Sequence, residues 1–267
     1  MATGKLRAAS QAYAFLHAVF ATAVDDDAVH QNPCRIAGAG QPNSPEWPLI
    51  DLDDLDRLTA AMPEHMRALT TLAFWACLRI GEVVALRRGD VWLSDDLSTG
   101  KVRIDRQETE TKDGPVEKEP KTGSSGTIPL PKPAIDALAE HLAISAGSSL
   151  PGARLFTHPD ARPLRAHDIE NRWTTARKVA GLPGANFHDL RHGGPTLTTQ
   201  QGGTLADVMR RGRHRSMASA LRYQHGSETR DVAVNDRLSD AAIQHRSGQT
   251  TPSVVVDLDT ARKTAEG

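Results

Sequence analysis

The sequence predicts a mainly helical α+β protein with a small three-stranded antiparallel sheet. Apolar residues recur at helical spacing in several segments bounded by Gly, Pro, Ser or Asp. Between residues 100 and 130 the pattern changes to alternation, in KVRIDRQ and TIPLP, with turn-rich sequence between them. The chain has 267 residues, of which 39% are hydrophobic, and this is enough to bury a sizeable core.

The helices are predicted in chain order from these patterns. An N-terminal helix leads into an acidic run, and the Gly- and Pro-rich stretch that follows, up to Pro48, is typical of a linker. Asp51 is a candidate N-cap for the next helix, and residues 63–86 are again helical and strongly apolar, which predicts a core helix pair. Helical spacing then returns at 133–145, 167–180, 188–200, 204–211 and 216–224. The segment TKDGPVEKEPKTGSSG is predicted to be a long, mobile connection between strands.

Charge is segregated along the chain although the formal net charge is only −1. Residues 1–60 carry a net charge of −4, whereas residues 151–230 carry +7, with twelve arginines. Because a guanidinium binds phosphate in a bidentate manner, this basic half indicates an anionic partner. A solvated basic face without a ligand explains the same composition.

Cysteine content and hydropathy predict a soluble intracellular protein. Cys34 and Cys77 are the only cysteines, which excludes a disulfide-stapled scaffold and fits a reducing compartment. The longest apolar stretch, LTTLAFWACLRI, is too short to span a bilayer and contains Arg79. No leader peptide is visible, and no membrane association is expected.

The motif HDLRHGG supports two kinds of site. His188 and His192 are four residues apart, so on a helix they could bind a metal ion together, with Asp189 as a general base. A third ligand is missing, however, and Arg191 would repel a cation. Alternatively, Arg191 and one histidine bind a phosphate group, and His192 supports the fold.

Two further segments carry candidate residues. Arg79 lies in the apolar stretch CLRIGEVVAL, where it needs an anion, either a ligand or Glu82 three residues later. In GRHRSMASALRYQH, His214 precedes Tyr223 by nine residues. A tyrosine hydroxyl can act as a covalent nucleophile, although a tyrosine on a helix usually serves packing.

Four motifs in order, ACLRIGEVVAL, PKTGSSGTIPLP, FHDLRHGG and RHRSMASALRYQH, resemble the catalytic domain of tyrosine recombinases, particularly phage-type integrases. The resemblance covers roughly residues 46–240. It implies a catalytic domain at 45–240, a C-terminal remnant of a helical core-binding domain plus linker at 1–44, and a loosely ordered tail at 241–267. Most of the core-binding domain is then expected to be absent.

The resemblance also implies six catalytic residues. They are Arg79, Lys121, His188, Arg191, His214 and Tyr223. The two arginines would clamp the scissile phosphate, and Lys121 would protonate the departing 5′ oxygen.

The nucleophile implied by the resemblance is Tyr223, which would form a 3′-phosphotyrosyl link. His188 would assist it as a base or phosphate ligand, and His214 would donate a hydrogen bond to the developing charge. The resulting ester stores the energy for rejoining, so neither metal, ATP nor another cofactor is expected. The implied partners are duplex DNA at attachment sites and further copies of the chain, as a tetramer on DNA in the nucleoid of the cytoplasm.

Three departures from the family pattern predict impaired activity. Gly212 and Arg213 replace Leu-Gly before the second histidine, so Arg213 is expected to crowd the pocket or contact DNA. GGP at residues 193–195 replaces better helix formers, and proline inside a helix costs about 3 kcal/mol, which could shift Arg191. The third departure is the shortened N-terminal arm. The alternatives are therefore a catalytically decayed DNA-binding relative and, from the histidine pair, a zinc-dependent hydrolase.

Overall fold

The computed structural model describes most of the chain. It describes residues 2–41, 49–120, 124–145, 147–213 and 217–221, and short helical pieces at 235–236, 238–240 and 242–245. The chain divides into two compact units, Met1–Pro48 and Leu49–Gly267. No helix within these described ranges is long and apolar enough to cross a bilayer. The predicted tail falls outside the described residues from position 246 onward.

The first unit is built on α1 (Ala2–Asp25), as the sequence predicts. The predicted linker turns back along this helix. The backbone N–H of Ile36 donates to the Tyr13 hydroxyl at 2.6 Å, and the Asn32 amide donates to the His17 carbonyl at 2.9 Å. The assignment of residues 1–44 to a remnant of a core-binding domain plus linker stays a prediction.

The second unit contains the other helices. They are α2 (Leu52–Ala61), α3 (Glu64–Trp75), α4 (Ile80–Ala85), α5 (Lys132–Ile144), α6 (Ala166–Val179), α7 (Leu190–Gln200), α8 (Leu205–Gly212) and α9 (Met217–Leu221). Asp51 caps α2 as predicted, because its Oδ1 accepts from the backbone N–H of Asp54 at 2.7 Å. The segment at 63–86 is not one continuous helix. It breaks after α3, where Cys77 adopts a left-handed backbone with φ +53°.

Helix α3 lies at the centre of this unit and contacts α2, α5 and α7. Its residues Leu69 and Leu72 are completely buried, and Phe74 is nearly so. Burying a side chain of this size stabilises the fold by about 1.5–3 kcal/mol. The apolar run that ends in Arg79 therefore forms the core and delivers that arginine to one end of it.

The predicted three-stranded antiparallel sheet is confirmed. It consists of β1 (Val91–Leu93), β2 (Gly100–Ile104) and β5 (Gly126–Pro129), in the order β1-β2-β5. Val102 on the central strand pairs with Val91 on one side and Ile128 on the other. Val102 and Ile128 are buried, so this face of the sheet covers the core.

The prediction of a long, mobile connection is wrong for residues 111–118, which belong to a hairpin formed by residues 107–118. Strand β3 (Gln107–Thr111) pairs with β4 (Gly114–Lys118), and Gly114 turns the chain with φ +108°. An Asp-Gly pair favours such a tight turn. The strands were missed because their side chains are mostly charged or polar and exposed, so no apolar alternation marks them.

The hairpin packs against α4, the short helix that follows Arg79. A Cβ atom at Gly81 would lie only 2.3 Å from the Glu108 carbonyl oxygen, so glycine permits this close approach. Arg154 links the same elements, because it donates to the Val84 carbonyl at 2.6 Å and to the Glu108 carboxylate at 2.5 Å. These contacts hold α4 against the hairpin.

Candidate active site

The buried carboxylate of Glu82 is the organising group of the candidate site. Its side chain is 0% exposed. Its Oε2 accepts from the backbone N–H of Arg79 at 2.9 Å, which caps α4, and its Oε1 accepts from Arg79 Nη1 at 2.8 Å. The predicted Glu82 partner of Arg79 is therefore present. The Arg79 side chain remains 32% exposed, so part of this guanidinium faces solvent.

Arg191 lies in the first turn of α7 and is almost completely buried, with 2% of its side chain exposed. Its Nη1 donates to the Cys77 carbonyl, and its Nη2 donates to the Gly212 carbonyl at 2.5 Å. The same Nη1 lies 3.8 Å from Glu82 Oε2. Burial, together with the neighbouring Arg79, lowers the pKa of Arg191 to about 10, so the guanidinium is charged at neutral pH.

The backbone carbonyl of Cys77 accepts a hydrogen bond from the Arg191 guanidinium. Its left-handed conformation separates α3 from α4 and leaves its carbonyl available to Arg191. The thiol itself is buried, and burial raises its pKa to about 11. Nothing in the sequence pattern indicates this turn, because left-handed cysteines are rare.

His188 lies at the surface, in the 3-10 turn Phe187–Asp189 that precedes α7. Its ring lies edge-on to that of His192, with 5.2 Å between the centroids. Partial desolvation lowers the pKa of His188, and the charges of Arg191 and Arg79 lower it further. The imidazole is therefore neutral near pH 7 and can accept a proton.

The turn that carries His188 is fixed by Asp189. The carboxylate of Asp189 accepts from the backbone N–H of Asn186 at 2.7 Å and so caps the turn. The side of the turn opens into a cleft of about 320 Å³, which is lined by residues of α4, α6 and the turn itself. Its lining includes Ile80, Trp173, Arg177 and His188.

Arg213 lies in the site, where its guanidinium joins those of Arg79 and Arg191 at Glu82; whether it contacts DNA stays a prediction. It is the C-cap of α8 and has a left-handed backbone, with φ +51° and ψ +47°. Its side chain is only 3% exposed. Its Nη2 donates to Glu82 Oε2 at 2.6 Å and to the Cys77 carbonyl at 3.1 Å. The unusual pair Gly212-Arg213 marked this position in the sequence. The burial of Arg213 beside Glu82 could not be predicted from it.

The electrostatics of this cluster favour an anion. The guanidinium groups of Arg79, Arg191 and Arg213 surround the carboxylate of Glu82. One carboxylate cannot neutralise three cations, so positive charge remains in a poorly solvated place. Such a place attracts phosphate and repels metal ions. In the described ranges, no group of three His, Cys, Asp or Glu side chains is arranged to hold a metal ion.

The two glycines after Arg191 allow helix α7 to pack closely against α3. A Cβ atom at Gly193 would lie 1.9 Å from the Phe74 ring, and one at Gly194 would lie 2.7 Å from the Cys77 sulfur. Pro195 lies inside α7, one turn after Arg191. Helix α7 begins at Leu190, so Arg191 lies in its first turn, before the proline.

Three of the six predicted catalytic residues can be located. The structure brings Arg79 and Arg191 to the same carboxylate, and His188 lies in the turn just before Arg191, near enough for both charges to lower its pKa. Lys121, His214 and Tyr223 lie outside the described residues. Their roles stay predictions that depend on the motifs.

Comparison with known proteins gives consistent results. A sequence model of the phage integrase family matches residues 49–230. The chain is 33% identical over 239 residues to a putative prophage phiRv2 integrase of Mycobacterium tuberculosis, covering 87% of this chain and 62% of that protein. It is 31% identical over 233 residues to the integrase of Mycobacterium phage D29, covering 86% and 62%. The chain thus spans about three fifths of the length of these relatives.

Solved structures with the same fold include the Tn1549 transposon integrase in complex with a circular intermediate DNA. The TM-score is 0.67 at 17% identity, covering 83% of this chain and 76% of that one. A lambda integrase dimer bound to a COC′ core site has a TM-score of 0.57 at 18% identity, covering 83% and 60%. With the match of the family model and these relatives, the chain belongs to the phage integrase family.

Proposed function

We propose that this chain is a tyrosine-type site-specific recombinase that breaks and rejoins duplex DNA through a 3′-phosphotyrosyl intermediate. The observation that carries the proposal is the convergence of Arg79 and Arg191 on Glu82, with neutral His188 beside them. Membership of the phage integrase family supports the same reaction. Fixed cations that are held before the substrate arrives stabilise a transition state in which charge develops on phosphate oxygens.

In the cleavage step, the Tyr223 oxygen attacks phosphorus, and the bond from phosphorus to the 5′ oxygen breaks. The tyrosine proton passes to His188, and Lys121 gives a proton to the departing 5′ oxygen, which leaves as a hydroxyl. Arg79 and Arg191 bind the nonbridging oxygens throughout. His214 donates a hydrogen bond to one of them.

Rejoining reverses these steps with a new 5′ hydroxyl. The phosphotyrosyl ester keeps the energy of the broken phosphodiester, so the exchange needs neither ATP nor a metal ion. We therefore expect covalent adducts to form equally well with excess chelator present.

The test is capture of the covalent intermediate from a pool of DNA. Purified protein is incubated with duplexes of random core sequence that carry a nick just downstream of the core, so that the short fragment with the new 5′ hydroxyl diffuses away after cleavage and rejoining is prevented. After denaturation, protein-linked DNA is recovered and sequenced. We expect a shared sequence among the trapped strands, and this would also identify the target site.

A matched pair of variants assigns the nucleophile. Only two tyrosines occur in the chain, Tyr13 and Tyr223. Tyr223→Phe should abolish the adduct, whereas Tyr13→Phe should form it at the wild-type level. If Tyr223→Phe still traps DNA, the assigned nucleophile is wrong.

A second candidate function is DNA binding without cleavage. The burial of Arg213 against Glu82, at a position where the backbone disfavours arginine, is the observation that favours it. Sequence-specific binding by wild type without any adduct would support this alternative and contradict the first proposal.

We also propose that the substrate is duplex DNA at paired attachment sites and that several copies, as a tetramer, assemble on it in the nucleoid. Light scattering of the protein with the recovered duplex measures the number of copies per DNA. A single copy on a complete site would contradict the proposed assembly.

A further inference from the structure

The guanidinium of Arg213 lies next to that of Arg191 because the two groups share acceptors. Arg213 Nη2 donates to Glu82 Oε2 at 2.6 Å and to the Cys77 carbonyl at 3.1 Å. Arg191 Nη1 donates to the same carbonyl and lies 3.8 Å from the same carboxylate oxygen. A ligand bound by Arg191 and Arg79 is therefore close to Arg213 as well.

Part of the Arg213 guanidinium is buried without a hydrogen-bond acceptor. Its Nε and Nη1 have no partner within the described part of the chain, although the side chain is 3% exposed. Buried donors in folded proteins are nearly always paired, and an exception calls for an explanation. A further anionic acceptor at the cluster would supply the missing partner.

The backbone at Arg213 also argues against a purely structural role. Its φ of +51° is in the left-handed region, which glycine adopts without strain and arginine does not. A glycine here would end α8 equally well. Arginine instead adds backbone strain and a third buried cation to a cluster that contains one carboxylate.

We propose that Arg213 is a third phosphate-binding guanidinium, which donates an unpaired N–H to a nonbridging oxygen of the phosphodiester that Arg79 and Arg191 clamp. This rests on the proposed function, because the ligand is the scissile phosphate of that reaction. Its positive charge stabilises the phosphorane-like transition state, in which the nonbridging oxygens gain negative charge.

The test compares Arg213→Gly with wild type on two forms of the duplex recovered from the pool. One form has a normal scissile phosphate, and the other has a methylphosphonate, which lacks one charged oxygen. We expect Arg213→Gly to slow adduct formation on the phosphate by at least about tenfold. On the methylphosphonate the ratio of wild type to variant should fall towards one, because there is less charge for Arg213 to stabilise.

Stability measurements separate this role from a structural one. Because glycine accepts the left-handed backbone, Arg213→Gly should unfold at the same temperature as wild type or higher. Arg210→Ala is the control, since Arg210 carries a positive charge on the same helix but is exposed. Its rate relative to wild type should be the same on both substrates.

The outcomes distinguish the two proposals. If wild type forms an adduct and Arg213→Gly forms it equally fast, the role of Arg213 is wrong while the proposed function stands. The role is equally wrong if Arg213→Gly is slower by the same factor on both substrates. If wild type forms no adduct with any duplex in the pool, both proposals fail.

Discussion

At the scale of single residues, the site depends on one carboxylate. Glu82 accepts from Arg79 and Arg213 and lies near Arg191, and it is fully buried. Its position in the first turn of α4 also lets it cap that helix. One side chain therefore caps the N-terminus of α4 and holds the guanidinium groups together.

Glu82→Gln should be strongly destabilising. Removing this charge leaves buried guanidiniums without a counterion, and breaking a buried ion pair in this way costs about 3–5 kcal/mol. Chemical denaturation measures the change in the free energy of unfolding. Glu117→Gln is the control, because Glu117 is 38% exposed in its pair with Arg87 and should change that free energy by less than about 1 kcal/mol. Similar values for the two variants would mean that Glu82 does not organise the cluster.

The pKa of His188 sets a second residue-scale prediction. Desolvation, Arg191 and Arg79 lower this pKa below its ordinary value of 6.5. If neutral His188 accepts the tyrosine proton, adduct formation should increase with pH and reach half its maximum below pH 6.5. Single-turnover rates between about pH 5 and 8 measure this. The His188→Gln variant should form the adduct more slowly, and its rate should not show this increase with pH. If the rate of the variant still increases with pH in the same way, the titrating group is not His188.

At the scale of elements, the packing of α7 on α3 determines where Arg191 lies. Gly193 and Gly194 bring the backbone of α7 against Phe74 and Cys77. The sequence showed these glycines only as poor helix formers. Their role depends on Phe74 and Cys77, which lie more than a hundred residues earlier in the chain. No local sequence pattern contains that information.

Gly193→Ala should destabilise the protein by about 1–3 kcal/mol or more, because its Cβ atom would meet the Phe74 ring in a fully packed core. Urea denaturation checks this. Gly184→Ala is the matched control, since nothing lies within 4 Å of a Cβ atom at Gly184. Adding Phe74→Leu to Gly193→Ala should recover part of the loss. A Gly193→Ala variant as stable as wild type would contradict the close contact.

Sequence reasoning succeeded for elements with a clear apolar period and failed where charge replaces it. The helices at 133–145 and 167–180 were predicted within one residue of α5 and α6 at each end. The hairpin at 107–118 was missed because both of its strands are polar. Arg79 and Arg191 were identified by motif, but the third guanidinium at Glu82 was not, since its burial depends on how α8 ends.

At the scale of the whole molecule, histidines with lowered pKa values make stability depend on pH. His141 is 4% exposed, and its Nε2–H donates to the Leu155 carbonyl at 2.9 Å. Burial is the main cause that lowers its pKa. The pKa values of His65 and His188 are also lowered, mainly by desolvation. The unfolded chain therefore binds more protons than the folded chain as the pH falls below about 6.5.

Stability should consequently decrease on acidification from neutral pH. Each histidine that stays neutral in the fold contributes at most about 1.4 kcal/mol per pH unit in this range. Urea denaturation between about pH 7.5 and 5 measures the slope. His141→Gln keeps an N–H donor for Leu155 but does not titrate, so its slope should be smaller. An identical slope in this variant would show that His141 does not contribute.

The burial of Cys77 in the turn between α3 and α4 also makes the two thiols of the chain chemically different. The Cys77 thiol is buried with a pKa of about 11, whereas Cys34 is partly exposed. A maleimide should therefore modify one thiol in the native protein and two in denaturant, as mass spectrometry would count. A fluorophore can then be attached at Cys34 alone, without altering the guanidinium cluster, to report DNA capture in real time.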